Sequence, residues 1–140
     1  MPVHIRINSL KVEPSKLLAM LKHRDIDLKP SGQGQNYLFE TPGLKSPGSL
    51  MEYLIGYIHP QALTSCLASV ALSPEPSGYV LDMCAAPGGR TPHLAQIMNN
   101  NGLIVANETY RHRHIPLAHT LSKFPLSNYN NEVIENAKQF

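Results

Sequence analysis

Residues 80–91 read Val-Leu-Asp-Met-Cys-Ala-Ala-Pro-Gly-Gly-Arg-Thr. With Tyr79 the run opens as a short, mostly apolar stretch, suited to a strand in the middle of a parallel sheet. Cys84 to Gly89 are small and turn-forming, and a helix from Thr91 or Pro92 to about Asn99 follows. Gly102-Leu103-Ile104-Val105-Ala106-Asn107-Glu108 is the next strand, ending in an acid. Arg111 to Lys123 reads as a helix, with Pro116 a local obstacle to it. Glu132-Val133-Ile134-Glu135 completes the pattern as a third strand. Strand, loop, helix, strand, helix, strand is the start of a doubly wound α/β sheet.

Ligands of such sheets sit beyond the carboxyl ends of the strands. Small residues let the backbone approach a ligand, and the helix behind the loop offers unpaired N–H groups. Glu108 stands where an acid accepts the two ribose hydroxyls of a nucleoside. A phosphate-binding loop needs Gly at position 84 and Lys at position 90, where this chain has Cys84 and Arg90. The G-x-G-x-x-G dinucleotide fingerprint is absent. A nucleoside without a pyrophosphate, such as S-adenosylmethionine, fits better, its positive sulfonium and amino group favouring an acid such as Asp82. The same sequence also serves as nothing more than a tight turn between strand and helix.

Upstream, His4 to Asn8 alternates as a short half-buried strand, and Leu17, Leu18 and Leu21 fall at helical spacing after Ser15, an expected N-cap. Residues 30–36 form turns, and Tyr37-Leu38-Phe39 reads as a strand. Pro60 is expected to open a helix through Leu72, with Ala62, Leu63, Cys66, Leu67 and Val70 as its apolar stripe.

The chain has 140 residues, 42% hydrophobic and 16% charged, with a net charge of +2. That charge is too mild to announce nucleic-acid binding by itself. Two cysteines, Cys66 and Cys84, make no disulfide framework. No run approaches a membrane span and no signal peptide opens the chain, so a cytoplasmic location is expected. The histidines have no ligand spacing with the cysteines, so no metal is expected.

The stretch Asp82 to Thr91 resembles the signature loop of the RNA cytosine-5 methyltransferases of the Sun/Nop family, usually D-x-C/A-A-A-P-G-G-K-T. The run from His93 to Asn100, Gly102 and Ile104 to Glu108 are also similar to that family. So are Arg6-Ile7-Asn8-Ser9-Leu10-Lys11, where relatives often show R-x-N-T-L-K, and the pair Gly56 and Gln61. The resemblance implies a small α+β RNA-binding module, residues 1–56, followed by the first half of a Rossmann-like methyltransferase domain, residues 57–140. The implied cofactor is S-adenosylmethionine. Cys84, Ala85, Ala86, Pro87, Gly88, Gly89 and Arg90 would wrap its methionine end, and Glu108 would hold the ribose. Arg113 would lie near the ribose, and Asn136 is the nearest match to a family Asp that contacts adenine, with Glu135 next to it as the rival. Arg6 and Lys11 are expected RNA contacts, and the implied partner is rRNA or tRNA.

Family chemistry uses a cysteine thiolate that attacks carbon 6 of cytosine and a second cysteine that assists product release. Those cysteines lie in P-C and T-C motifs, and this sequence has neither pair. Cys66 is expected in a helix core, and Cys84 lies at the wrong part of the cofactor site for attack on the base. The 140-residue chain is therefore expected to be inactive alone. The alternatives are a non-catalytic RNA-binding or regulatory module, and half of a split enzyme completed by a partner chain. A sheet cut after three strands is expected to leave apolar faces uncovered, and so to self-associate or bind such a partner. Arg111-His112-Arg113-His114 is read as a solvated helix face with one ribose-side residue, the alternative being contact with RNA phosphate.

Overall fold

The computed structural model describes residues 3–31, 35–44 and 46–125. The expected third strand, Glu132 to Glu135, and Asn136 lie outside the described residues. The chain divides into two compact units, Met1–Thr64 and Ser65–Phe140.

The first unit is a four-stranded antiparallel sheet with a helix on one face. Its strands are β1 (His4–Ile7), β2 (Lys29–Pro30), β3 (Leu38–Glu40) and β4 (Ile58–Pro60), in the order β2-β3-β1-β4. Side chains alternate across a strand, so Ile5 and Ile7 share a face with their cross-strand partners Phe39 and Ile58. Helix α1 (Pro14–Lys22) sets Leu17 and Leu21 into the same core, with Val12. Both edge strands carry a proline, Pro30 and Pro60, a residue that withholds an N–H from further pairing.

Several local expectations change here. Arg6, on the other face of β1, is as buried as its isoleucine neighbours, so the strand is not half-buried. The N-cap of α1 is Glu13, not Ser15: the Glu13 carboxylate accepts the Lys16 N–H at 2.9 Å and also the Ser15 hydroxyl. Pro60 lies in β4 opposite Ile5 rather than at a helix start. Because β4 pairs with β1, the division between units falls after Thr64 rather than after residue 56. A short helix, α2 (Met51–Leu54), precedes Gly56, whose φ of +77° turns the chain into β4.

Helix α3 runs Leu63–Leu72 and buries Cys66 and Ser69; Leu63, Leu67 and Val70 are half-buried, and Ala62 lies exposed before it. In the second unit β5 (Tyr79–Asp82) and β6 (Leu103–Ala106) pair in parallel, from Tyr79 opposite Leu103 to Asp82 opposite Ala106. Helix α4 (Arg90–Ile97) connects them and is buried from Thr91 to Gln96. A single 3-10 turn, Arg111–Arg113, leads into α5 (His114–Leu121). The α-helix proper therefore starts at His114, which puts Pro116 in its first turn, where a missing N–H breaks no intrahelical bond. Ala85, Ala86, Ala106, Leu117 and Leu121 form the core under the loop. Tyr79, Leu81 and Leu103 share one sheet face and are exposed.

Candidate functional site

The loop from Met83 to Gly89 leaves the carboxyl end of β5 and enters α4. Asp82, the last residue of β5, is buried and closes that junction. Its Oδ2 accepts the Thr91 hydroxyl at 2.8 Å, and Oδ1 lies 3.7 Å from the Arg90 guanidinium. A carboxylate there also complements the positive end of the α4 dipole. The acid read as a counter-charge for a sulfonium is thus engaged in anchoring the helix.

The loop is held from both sides. Ala85 donates its N–H to the Asn107 carbonyl at 2.9 Å, and Gly88 donates to the Ala85 carbonyl at 2.8 Å. The Asn107 side chain donates to the Met83 carbonyl at 3.0 Å, and Arg90 to the Cys84 carbonyl at 2.8 Å. Ala85 and Ala86 are buried against Leu117 and Leu121, so their side chains face the core and only their backbone is left for a ligand. Cys84 and Pro87 are exposed. Gly88 has a φ of +100°, a region that favours glycine. A Cβ on it would stand 2.8 Å from Thr120 Cβ and 3.3 Å from Leu117 Cδ1. The glycine is therefore dictated twice, by backbone conformation and by the close approach of α5.

Glu108, two residues past β6, is 3% exposed. Its Oε1 accepts the Tyr110 N–H at 3.0 Å, and its carbonyl accepts from His114 Nε2 at 2.8 Å. Oε2 lies 3.0 Å from Arg113 Nη1 but makes no aligned hydrogen bond. Arg113 also donates to the Ala86 carbonyl at 2.7 Å. One guanidinium thus joins the acid after β6 to the loop after β5. The structure brings the loop residues, Glu108 and Arg113 together, and Asn136 lies outside the described residues.

Arg6 and Lys11, in the first unit, have other work. Arg6 is fully buried and donates from Nε to Gln61 Oε1 at 3.1 Å, so it is not the open RNA contact that was expected. Lys11 is exposed, and its Nζ donates to the Ile55 carbonyl at 2.8 Å. Sequence reasoning did not single out Asn107 or Thr120. Asn107 adjoins Glu108 and was open to notice; Thr120 carries no local signal, because its importance comes from contact with Gly88.

This arrangement is that of an α/β protein whose strand–loop–helix–strand unit presents a small-residue loop and an acid at the carboxyl ends of its parallel strands. The profile of the family described as 16S rRNA methyltransferase RsmB/F matches residues 69–138, half of the chain. The chain belongs to that family. It is 41% identical over 108 residues to the 26S rRNA (cytosine-C(5))-methyltransferase nsun-1 of Caenorhabditis elegans, covering 76% of this chain and 16% of that protein. It is 38% identical over 110 residues to the tRNA (cytosine(49)-C(5))-methyltransferase of Pyrococcus abyssi, covering 78% and 35%. Among solved structures, a methyltransferase homolog from Pyrococcus horikoshii superposes with a TM-score of 0.80 at 33% identity, over 91% of this chain and 42% of that one. NSun6 from the same organism shares the fold, with a TM-score of 0.87 at 18% identity, over 99% and 59%. The chain spans about a third or less of the two curated relatives. No helix among the described residues is long and apolar enough to cross a membrane.

Proposed function

We propose that this chain carries the S-adenosylmethionine site of an RNA (cytosine-5) methyltransferase. The observation that supports this best is Glu108: a buried carboxylate beyond the end of β6, beside the loop, with Oε2 lacking an aligned donor. A ribose hydroxyl is the kind of donor such an oxygen accepts.

The residues present suit that group. The backbone of Cys84 to Arg90 would take the methionine end, with Gly88 keeping the loop within reach of α5. Glu108 would accept the ribose hydroxyls. Arg113, bonded to the Ala86 carbonyl, holds the acid and loop at a fixed separation. When bound, the group supplies an electrophilic methyl on a sulfonium. The chain's own residues bind and orient it; Cys66 is buried, and Cys84 belongs to the loop, so neither is assigned attack on the base. The RNA substrate is ribosomal or transfer RNA, as the names of the relatives suggest.

Calorimetric titration of the 140-residue chain with S-adenosylhomocysteine, beside a labelled-methyl transfer assay on rRNA and tRNA, tests this. Binding of the nucleoside without methyl transfer to cytosine is the expected result. No nucleoside binding would refute the cofactor site, and robust transfer would refute the assignment of no nucleophile.

A further inference from the structure

The run after Glu108 has a use that the cofactor site leaves open. Tyr110 is 60% exposed, and Arg111 and His112 beside it are exposed too. The rings of Tyr110 and His112 lie 5.8 Å apart at a tilt of 41°, so the two form one aromatic surface. Among the described residues nothing pairs with the Arg111 guanidinium. Ile115, at the start of α5, is 78% exposed. Large apolar and aromatic side chains left open next to an unpaired cation are well matched to a partner.

Charge says which partner. Between Met83 and Pro125 the sequence has a single acid, Glu108. That acid is buried and faces Arg113. Asp82, just before, is buried as well. Among the described residues of the second unit the only exposed carboxylate is Glu75; Arg90 and Arg113 face Asp82 and Glu108 and the Lys123 ammonium is buried, so Arg111 is the exposed cation with no carboxylate beside it. The surface at Tyr110 thus carries the uncompensated positive charge of Arg111, with no acid exposed in the run from Met83 to Pro125. Aromatic rings on which bases stack, flanked by cations that track phosphates, are the recognition chemistry of single-stranded nucleic acid.

We infer that Tyr110, Arg111 and His112 form a contact surface for a single-stranded stretch of RNA, with a base stacked on Tyr110 and a phosphate against Arg111. The surface adjoins the candidate cofactor site, because the Tyr110 N–H is bonded to Glu108 and Arg113 reaches back to the loop. RNA held here would lie beside the methyl donor's pocket. The inference rests on the reading of the chain as part of an RNA methyltransferase.

The test is fluorescence anisotropy of the full chain with a fluorescein-labelled, unstructured oligoribonucleotide of about a dozen nucleotides at low salt, enough for one such surface. Tyr110→Ala is expected to weaken binding about tenfold, and Tyr110→Phe, which keeps the ring, to retain it. Arg111→Ala is expected to weaken binding and to lower the slope of log affinity against log salt by about one. Circular dichroism melts of each variant show that the fold is kept. Wild-type affinity in Tyr110→Ala overturns the inference, as does wild-type protein that binds no RNA. Titration of the wild type with S-adenosylhomocysteine separates the two readings: nucleoside binding with unaltered RNA affinity in Tyr110→Ala removes this surface and leaves the cofactor site standing.

Discussion

Arg6 Nε donates to Gln61 Oε1 across 3.1 Å, joining two residues 55 positions apart inside the first unit. The neighbouring strand-end residues repeat the pattern. Asn8 Nδ2 donates to the Gly56 carbonyl at 2.9 Å, and Lys11 Nζ to the Ile55 carbonyl at 2.8 Å. The Arg6-to-Lys11 stretch therefore clasps the segment from α2 to the end of β4. A hydrogen bond from a charged donor contributes roughly 1.5–3 kcal/mol when buried. Arg6→Met is expected to destabilise the chain by about 2 kcal/mol in urea unfolding. Arg6→Met with Gln61→Leu should recover part of the loss, because no polar atom of that pair is then left behind. A single variant as stable as wild type would mean that the clasp contributes nothing.

Gly88 sets a second expectation. Alanine there meets both the φ of +100° and Thr120 Cβ at 2.8 Å. Gly88→Ala should cost about 2–4 kcal/mol, from backbone strain and overpacking together. Thr120→Ala should not rescue it: that change removes Cγ2 but leaves the Cβ in place. Full recovery in the double variant would show that the methyl contact, and not the backbone, decides the residue.

Glu13 predicts a pH effect in the first unit. The Ser15 hydroxyl, and then the backbone N–H groups of Lys16 and Ser15, hold its carboxyl below the ordinary value. A carboxylate with a lowered folded pKa adds stability above its unfolded pKa and loses it as pH falls through the folded value. The start of α1 should therefore stay anchored at neutral pH and loosen only below the usual glutamate range. In Ser15→Ala the Glu13 titration, followed by NMR of its side-chain carbonyl, should move up toward the ordinary value. An unmoved midpoint would show that Ser15 is not the cause.

What the sequence disclosed and what it hid have physical reasons. The loop at 82–91 was legible because a tight strand-to-helix passage demands small residues locally, and Glu108 because it ends an apolar run. Arg6, Asn8, Gly56 and Gln61 were each noticed as members of a pattern, but their pairing needed the sheet: β4 is three residues long and ends in proline, too little periodicity to read as a strand. Pro60 looked like a helix opener because an edge-strand proline and a first-turn proline are the same residue excused for the same missing N–H. The small size of Ala85 and Ala86 marks them as loop residues, but the burial of their side chains against Leu117 and Leu121 of α5, which leaves the backbone for a ligand, is something no spacing within the loop reveals.

The last prediction concerns Glu108 and Arg113. Their 3.0 Å approach places a cation at the oxygen that a ribose hydroxyl would meet. Glu108→Gln keeps an oxygen for the Tyr110 N–H and keeps the volume, but removes the charge that makes the hydrogen bonds to a ribose strong. S-adenosylhomocysteine affinity should fall roughly 10- to 100-fold, the range for hydrogen bonds to an ionised acceptor. Arg113→Lys should lose less, because a lysine can still neutralise Glu108, though without the planar fork that reaches the acid and the Ala86 carbonyl together. The order of affinities is thus wild type, then Arg113→Lys, then Glu108→Gln. Calorimetry that finds Glu108→Gln as tight as wild type would place the ribose elsewhere and leave the buried carboxylate as a brace for the loop alone.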